Sequence, residues 1–211
     1  NNKYGVPLSL FNMRQNDDFG VFEIGMDKKG EINNLSKIIK PDLGVITNIS
    51  YAHSKNFKNI KQIADAKAEI INNIKKDGIV VLNGDDHFYY YLKRLAVKKK
   101  IKTTSFAIKN KSSEIKLINL KKIKNKYELF INVNNNKLSF YIKNNNKNNL
   151  YNILATIASL DTFININNLK KDIFLNINTP KSRGDIFDVN FENKKIYFVD
   201  ESYNSNPLSL K

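Results

Sequence analysis

The chain contains no cysteine. Disulfides, thiolate metal sites and a cysteine nucleophile are therefore excluded. It has no uninterrupted apolar stretch long enough to span a bilayer, so stable membrane insertion is not expected. Its first residues show no signal-peptide pattern. The phosphate-cradling motif G-x-x-x-x-G-K-[ST] does not occur. RNP, zinc-finger and KH patterns are missing as well.

Positive charge, by contrast, is abundant: the formal net charge is +15 over 211 residues. One class that suits such a charge is a basic nucleic-acid-binding module. The lysines, however, are spread among asparagines and isoleucines rather than gathered in one motif. That is the signature of an AT-rich genome, so no nucleic-acid partner is expected, while an anionic substrate is favoured. With 41% hydrophobic residues the chain is expected to be globular, with length for one domain and a small subdomain. It starts at Asn1-Asn2-Lys3 rather than Met, and Leu210-Lys211 follows what reads as a helix start. The expectation is a piece of a longer protein, incomplete at both ends.

Four short apolar runs end in polar residues: Val21–Gly25, Leu43–Asn48, Ile79–Asn83 and Ile196–Asp200. Near-continuous apolar runs of this length suit strands buried on both faces, as in a parallel sheet. Helical patterns lie between several of them, over about 59–75 and 150–160. The expected fold is α/β, a doubly wound and mostly parallel sheet. The stretch of about 101–145 differs. Ile115–Ile118, Tyr127–Ile131 and Leu138–Ile142 read as strands, with an Asn134-Asn135-Asn136 turn between the last two. This predicts a small antiparallel β meander. In doubly wound sheets, ligands bind beyond the carboxyl ends of the strands. Those ends here carry Glu23, Asn48, Asn83 (followed by Gly84-Asp85-Asp86) and Asp200.

Three residues are chemically out of place. In the helix around Lys67 the apolar positions Ile60, Ile63, Ala64, Ile70, Ile71 and Ile74 form a core-facing stripe, and Lys67 occupies its central slot. Such a lysine either snorkels its ammonium to the surface or needs an anionic partner or a chemical modification. Glu23 is an acid inside an apolar strand, which calls for a charge partner or a metal unless it faces water from an edge. His53 follows the second strand in a loop, where histidines are structural, exposed or ligating.

In order and spacing, Glu23-Ile24-Gly25-Met26, Gly30-Glu31-Ile32, Pro41-Asp42, Thr47 to His53 and Ala66-Lys67-Ala68-Glu69-Ile70 resemble the Mur ligases, in their central ATP-binding domain. Asn2 to Leu10 resembles the segment after that family's P-loop helix. Asp200 to Pro207 is similar to the D-D-S-Y-N-A-N-P segment of the branch that acts on D-alanyl-D-alanine. The resemblance covers nearly the whole chain and is weakest in the meander. It implies a cytoplasmic, monomeric ligase of peptidoglycan precursor synthesis, with ATP and Mg²⁺ as cofactors. Its partners would be UDP-N-acetylmuramoyl-tripeptide and D-alanyl-D-alanine. The alternatives are another Mur ligase or a folylpolyglutamate synthetase.

Residue by residue, the resemblance implies magnesium ligation by Glu23, His53 and Lys67, the last as a carbamate. It puts Asn149 and Asn152 near adenine, Arg183 at the nucleotide phosphates, Asp200 near the ribose, and Thr47 and Asn48 near the substrate. The chain departs from the family pattern at Asn148, Ser182 and Glu201. The P-loop, the UDP-binding domain and the C-terminal domain are expected outside these residues, so the piece alone is expected to be inactive.

Overall fold

The computed structural model describes residues 2–51, 56–177, 185–192 and 194–200. The chain divides into two units, 1–175 and 176–211.

In the first unit, α1 (Gly5–Phe11) and α2 (Glu31–Ile39) precede β1 (Leu43–Ile46). Next come α3 (Ile60–Ala68), β2 (Ile79–Asn83), α4 (Tyr89–Lys98) and β3 (Lys102–Ala107). The meander is β4 (Ile115–Ile123), β5 (Lys126–Val133) and β6 (Asn136–Ile142), and α5 (Lys147–Leu160) follows it. The six strands form one sheet in chain order. β1 to β4 pair parallel, and β4 to β6 pair antiparallel. Antiparallel pairing thus begins at β4, and the segment 102–107 joins the parallel part.

Helices cover both faces, as a doubly wound sheet requires. Val80 and Leu82 of β2 face a core shared with α2, α3 and α4, while Val81 between them faces the core of α5 and the meander. That alternation explains why β2 reads as an unbroken apolar run: both of its faces are buried. Each fully buried Leu, Ile or Val contributes about 1.5–3 kcal/mol of gross burial energy.

α3 begins where Asn59 accepts from the Gln62 N–H at 3.0 Å and Gln62 Oε1 accepts from the Lys58 N–H at 2.9 Å. Those two bonds satisfy donors at the helix start. Past Ala68 the chain tightens into a 3₁₀ turn over Glu69–Asn73, so the expected helix of 59–75 is present in two parts. At the β5–β6 turn, Asn134 (φ 47°) and Asn135 (φ 74°) are left-handed, a conformation asparagine tolerates.

Two expected strands differ. Val21–Gly25 is irregular and pairs with nothing among the described residues. It carries a carboxylate at its centre, and Val21 is 96% exposed. Phe22 and Ile24 are half-buried while Val21 and Glu23 are exposed, so the segment is not the doubly buried strand expected. Ile196–Asp200 is not a buried parallel strand. It belongs to the second unit as β8 (Lys194–Asp200), paired antiparallel with β7 (Asp185–Phe191) in a two-stranded ribbon. Ile196, Tyr197, Phe198 and Val199 are all exposed there. A buried strand and a strand of an uncovered ribbon share the same β-forming composition, so composition alone does not separate them.

Candidate active site at the strand exits

β1 and β2 end side by side, with Ile46 opposite Leu82. Their exits are cross-linked at once. Asn83, itself buried, donates through Nδ2 to the Thr47 carbonyl at 3.0 Å. Its Oδ1 accepts the Asp85 N–H at 2.9 Å. The polar ends of the two strands are therefore structural ties as well as site walls.

The Gly84-Asp85-Asp86 turn sends its two carboxylates to different places. Asp85 accepts N–H groups from Ile108 (2.7 Å), Lys109 (2.9 Å) and Asn110 (2.7 Å), and the Tyr151 hydroxyl of α5 at 2.9 Å. Burial raises the Asp85 carboxyl, but these donors outweigh it and hold the group below its ordinary range. Burial, followed by the same contact, pushes the Tyr151 hydroxyl well above its usual value. Asp86 accepts the Ile49 N–H at 2.7 Å and the Phe88 N–H at 2.8 Å, linking the β1 exit to the approach to α4. Gly84 is required by close approach, because a Cβ there would lie 2.2 Å from Ser113 Oγ.

Lys67 enters from α3. It is partly buried, between Ala66 and Ala68, which are both buried. Its Nζ donates to the Asn48 carbonyl at 2.7 Å. Burial lowers the ammonium below the ordinary lysine value, and the Asp86 carboxylate offsets part of that effect. The residue thus does not simply snorkel into water. It crosses to the end of β1 and carries a larger neutral fraction than a free lysine, which is the nucleophilic form.

The structure brings Thr47, Asn48 and Lys67 together. Glu23 lies exposed on the irregular 21–26 segment. His53 and Arg183 lie outside the described residues. Asn149 sits in the first turn of α5, where its N–H donates to Asn146 Oδ1 at 2.7 Å and its Nδ2 donates to the Asn144 carbonyl at 2.6 Å. Asn152 is exposed one turn further on. Asp200 ends β8 in the second unit. Among the described residues, no three His, Cys, Asp or Glu side chains converge as a metal site.

Sequence reasoning gave no role to Asp85, Asp86, Tyr151 or Glu69. Two adjacent acids directly after an apolar strand were the available signal for the first two. Glu69 is a buried acid whose oxygens accept the Gly30 and Asn33 N–H groups at 2.7 and 3.0 Å, capping α2. No local pattern announces a cap supplied from 36 or more residues away.

A model of the Mur ligase middle domain matches residues 1–160, and the chain belongs to that family. Over its full length it is 32% identical to the UDP-N-acetylmuramoyl-tripeptide--D-alanyl-D-alanine ligase of Rickettsia prowazekii, of which it covers 46%. Over 86 residues, 41% of the chain and 19% of the relative, it is 44% identical to the Bacillus subtilis protein of the same name. The fold matches MurF of Acinetobacter baumannii with TM-score 0.84 at 24% identity, over 100% of this chain and 44% of that one. It matches MurF of Thermotoga maritima, solved in complex with ADP, with TM-score 0.78 at 24% identity, over 99% and 46%. The chain spans less than half the length of these relatives.

Proposed function

We propose that the full-length protein is an ATP-dependent ligase of peptidoglycan precursor synthesis, acting in the cytoplasm as a monomer. It joins D-alanyl-D-alanine to UDP-N-acetylmuramoyl-tripeptide. The observation that carries this reading is the 32% identity over the whole chain to a relative of that name. A half-buried lysine at the carboxyl edge of the sheet supports it.

In this reading the terminal carboxylate of the tripeptide takes the γ-phosphoryl group of ATP, and ADP leaves. The amine of D-alanyl-D-alanine then attacks the acyl carbon and loses a proton, and the phosphate departs with the former carboxylate oxygen. Carboxylate and γ-phosphate are both anions, so their approach needs positive charge. The net +15 of the chain favours such substrates.

Lys67 is read as a carbamate, formed when its neutral amine adds CO₂ and releases a proton. Burial lowers the amine's affinity for its proton, which favours that reaction. We assign Mg²⁺ to Glu23 and the Lys67 carbamate, whose oxygens are the hard donors that ion prefers, and to His53 by likeness to the family alone. When bound, the ion supplies charge neutralisation between the two anions. Asn149 and Asn152 are assigned to adenine, Arg183 to the phosphates, Asp200 to the ribose, and Thr47 and Asn48 to the substrate side. The P-loop and the flanking domains are assigned to residues outside this chain.

The test is product analysis with full-length protein, ATP, the UDP-linked tripeptide and a panel of amine acceptors. The mass of the D-alanyl-D-alanine adduct, formed with one ADP per amide bond, is expected. An adduct formed only with another amino acid would move the protein to another branch of the family.

A further inference from the structure

The peptide unit between Asn48 and Ile49 is gripped at both of its polar ends. Its carbonyl accepts from Lys67 Nζ at 2.7 Å. Its N–H donates to the Asp86 carboxylate at 2.7 Å. A peptide is planar, and its C=O and N–H point in opposite directions, so turning one end turns the other. The Asp86 bond therefore decides which way the Asn48 carbonyl faces.

The grip is firm on the acid's side. The second Asp86 oxygen accepts the Phe88 N–H at 2.8 Å, so the carboxylate cannot swing without losing that bond. Ile49 is buried, so its N–H has no easy recourse to water if the acid is removed. One residue upstream, the Thr47 carbonyl is tied to Asn83, three residues before Asp86. The β1 exit is thus anchored to the β2 exit on one side, and on the other its Asn48 carbonyl accepts from Lys67 of α3.

We propose that Asp86 is a positioning residue for the Lys67 amine, acting through the Asn48–Ile49 peptide; this rests on Lys67 being the active-site lysine. A carbamylated nitrogen keeps one N–H, which is the number the Asn48 carbonyl needs. The same clamp therefore orients the carbamate plane. Asp86 touches neither substrate nor nucleotide in this role.

The experiment compares Asp86→Ala, Asp86→Asn and Lys67→Ala with wild type in the full-length protein. Two readouts are used: kcat and KM for ATP, and carbamate occupancy by carbon NMR after incubation with ¹³C-bicarbonate. A misplaced reacting group loses about 100-fold in rate, so Asp86→Ala should lower kcat by about 100-fold with KM for ATP within about threefold. Its carbamate occupancy should fall at low bicarbonate and recover at high bicarbonate. Asp86→Asn, which keeps one acceptor for Ile49, should regain about tenfold of the lost kcat. Wild-type kcat and occupancy in Asp86→Ala would overturn the proposal, as would a loss confined to KM, or an Asn variant no better than Ala. Should Asp86→Ala fail to fold, Asp86→Asn decides: kcat at least threefold below wild type supports the proposal, and wild-type kcat overturns it. The underlying reading fails in a different way, with no ¹³C signal in wild type and full turnover in Lys67→Ala.

Discussion

The two halves of the sheet are built by different rules. In the parallel half, β2 is buried on both faces, and its exit is a turn rich in acids that hydrogen-bonds to three other segments. In the antiparallel half, β5 alternates between half-buried and buried residues, and its connections are tight turns with left-handed Lys124, Asn134 and Asn135. The meander buries Leu129, Ile131, Phe140 and Ile142, and among the described residues its β5–β6 turn is tied by Asn134 Nδ2 donating to Asp161 at 2.7 Å and the Asn135 N–H donating to Asn132 Oδ1 at 3.1 Å. Both halves pack a core, yet only the parallel half leaves loops at the carboxyl ends of adjacent strands. That is where side chains from separate segments can meet. We propose that the chemistry belongs to the parallel half, while the antiparallel half contributes stability.

The largest expected effect breaks the chemistry and spares the fold. Lys67→Ala in the full-length protein should cut turnover by about 10³-fold, the scale of losing a preorganised charge at a reacting centre. Because Lys67 is only partly buried and makes one hydrogen bond among the described residues, its loss should cost about 1 kcal/mol of stability or less. Kinetics and thermal unfolding on the same preparation check both.

Phe140→Ala should do the reverse. Phe140 is 2% exposed and meets Phe174 edge-on at 5.2 Å. Its truncation should cost about 3–5 kcal/mol in denaturant unfolding, with turnover per folded molecule unchanged. A loss of kcat comparable to that of Lys67→Ala would show that the two halves do not divide the work.

A smaller effect sits at the seam between them. Tyr151→Phe removes one of four donors to Asp85 and should cost about 1 kcal/mol. Its pH dependence has a definite sign. Asp85 is held below its ordinary value in the folded state. Its stabilisation is therefore present above the unfolded pKa and is lost as pH falls through the depressed one. The wild-type advantage over Tyr151→Phe should hold at neutral pH and shrink below about pH 4. An advantage that grew on acidification would contradict the contact. The smallest effect is Lys75→Ala. Lys75 reaches Asp42 at 2.9 Å, but both side chains are more than half exposed, so the change should stay within about 0.5 kcal/mol.

Much of this was legible in the sequence, for physical reasons. β2 announces itself because both faces are apolar. The β5–β6 turn does so because asparagine accepts left-handed backbone. α3 shows its stripe, and the lysine interrupting the stripe is the residue that reaches the β1 exit. β3 was hidden because it begins Lys102-Thr103-Thr104, although Phe106 and Ala107 are fully buried. α4 was hidden by three consecutive tyrosines, Tyr89 to Tyr91, a composition that favours strand as much as helix. The apolar run Ile196–Val199 reads as a buried strand but pairs in an exposed ribbon, because composition does not say whether a strand has neighbours. Of the site, single residues could be named, but not the partnership of Lys67 and Asp86. They lie 19 residues apart in sequence, and the peptide both of them hydrogen-bond belongs to a third segment.

The central claim is that Lys67 works as a carbamate at the active site of a D-alanyl-D-alanine-adding ligase. The most direct measurement is turnover of full-length protein freed of CO₂, followed as bicarbonate is added back, with Lys67→Ala in parallel. Turnover of the wild type should rise with bicarbonate to a plateau, while the variant stays near zero throughout. A wild type indifferent to bicarbonate, beside a variant that turns over as fast, would contradict the claim.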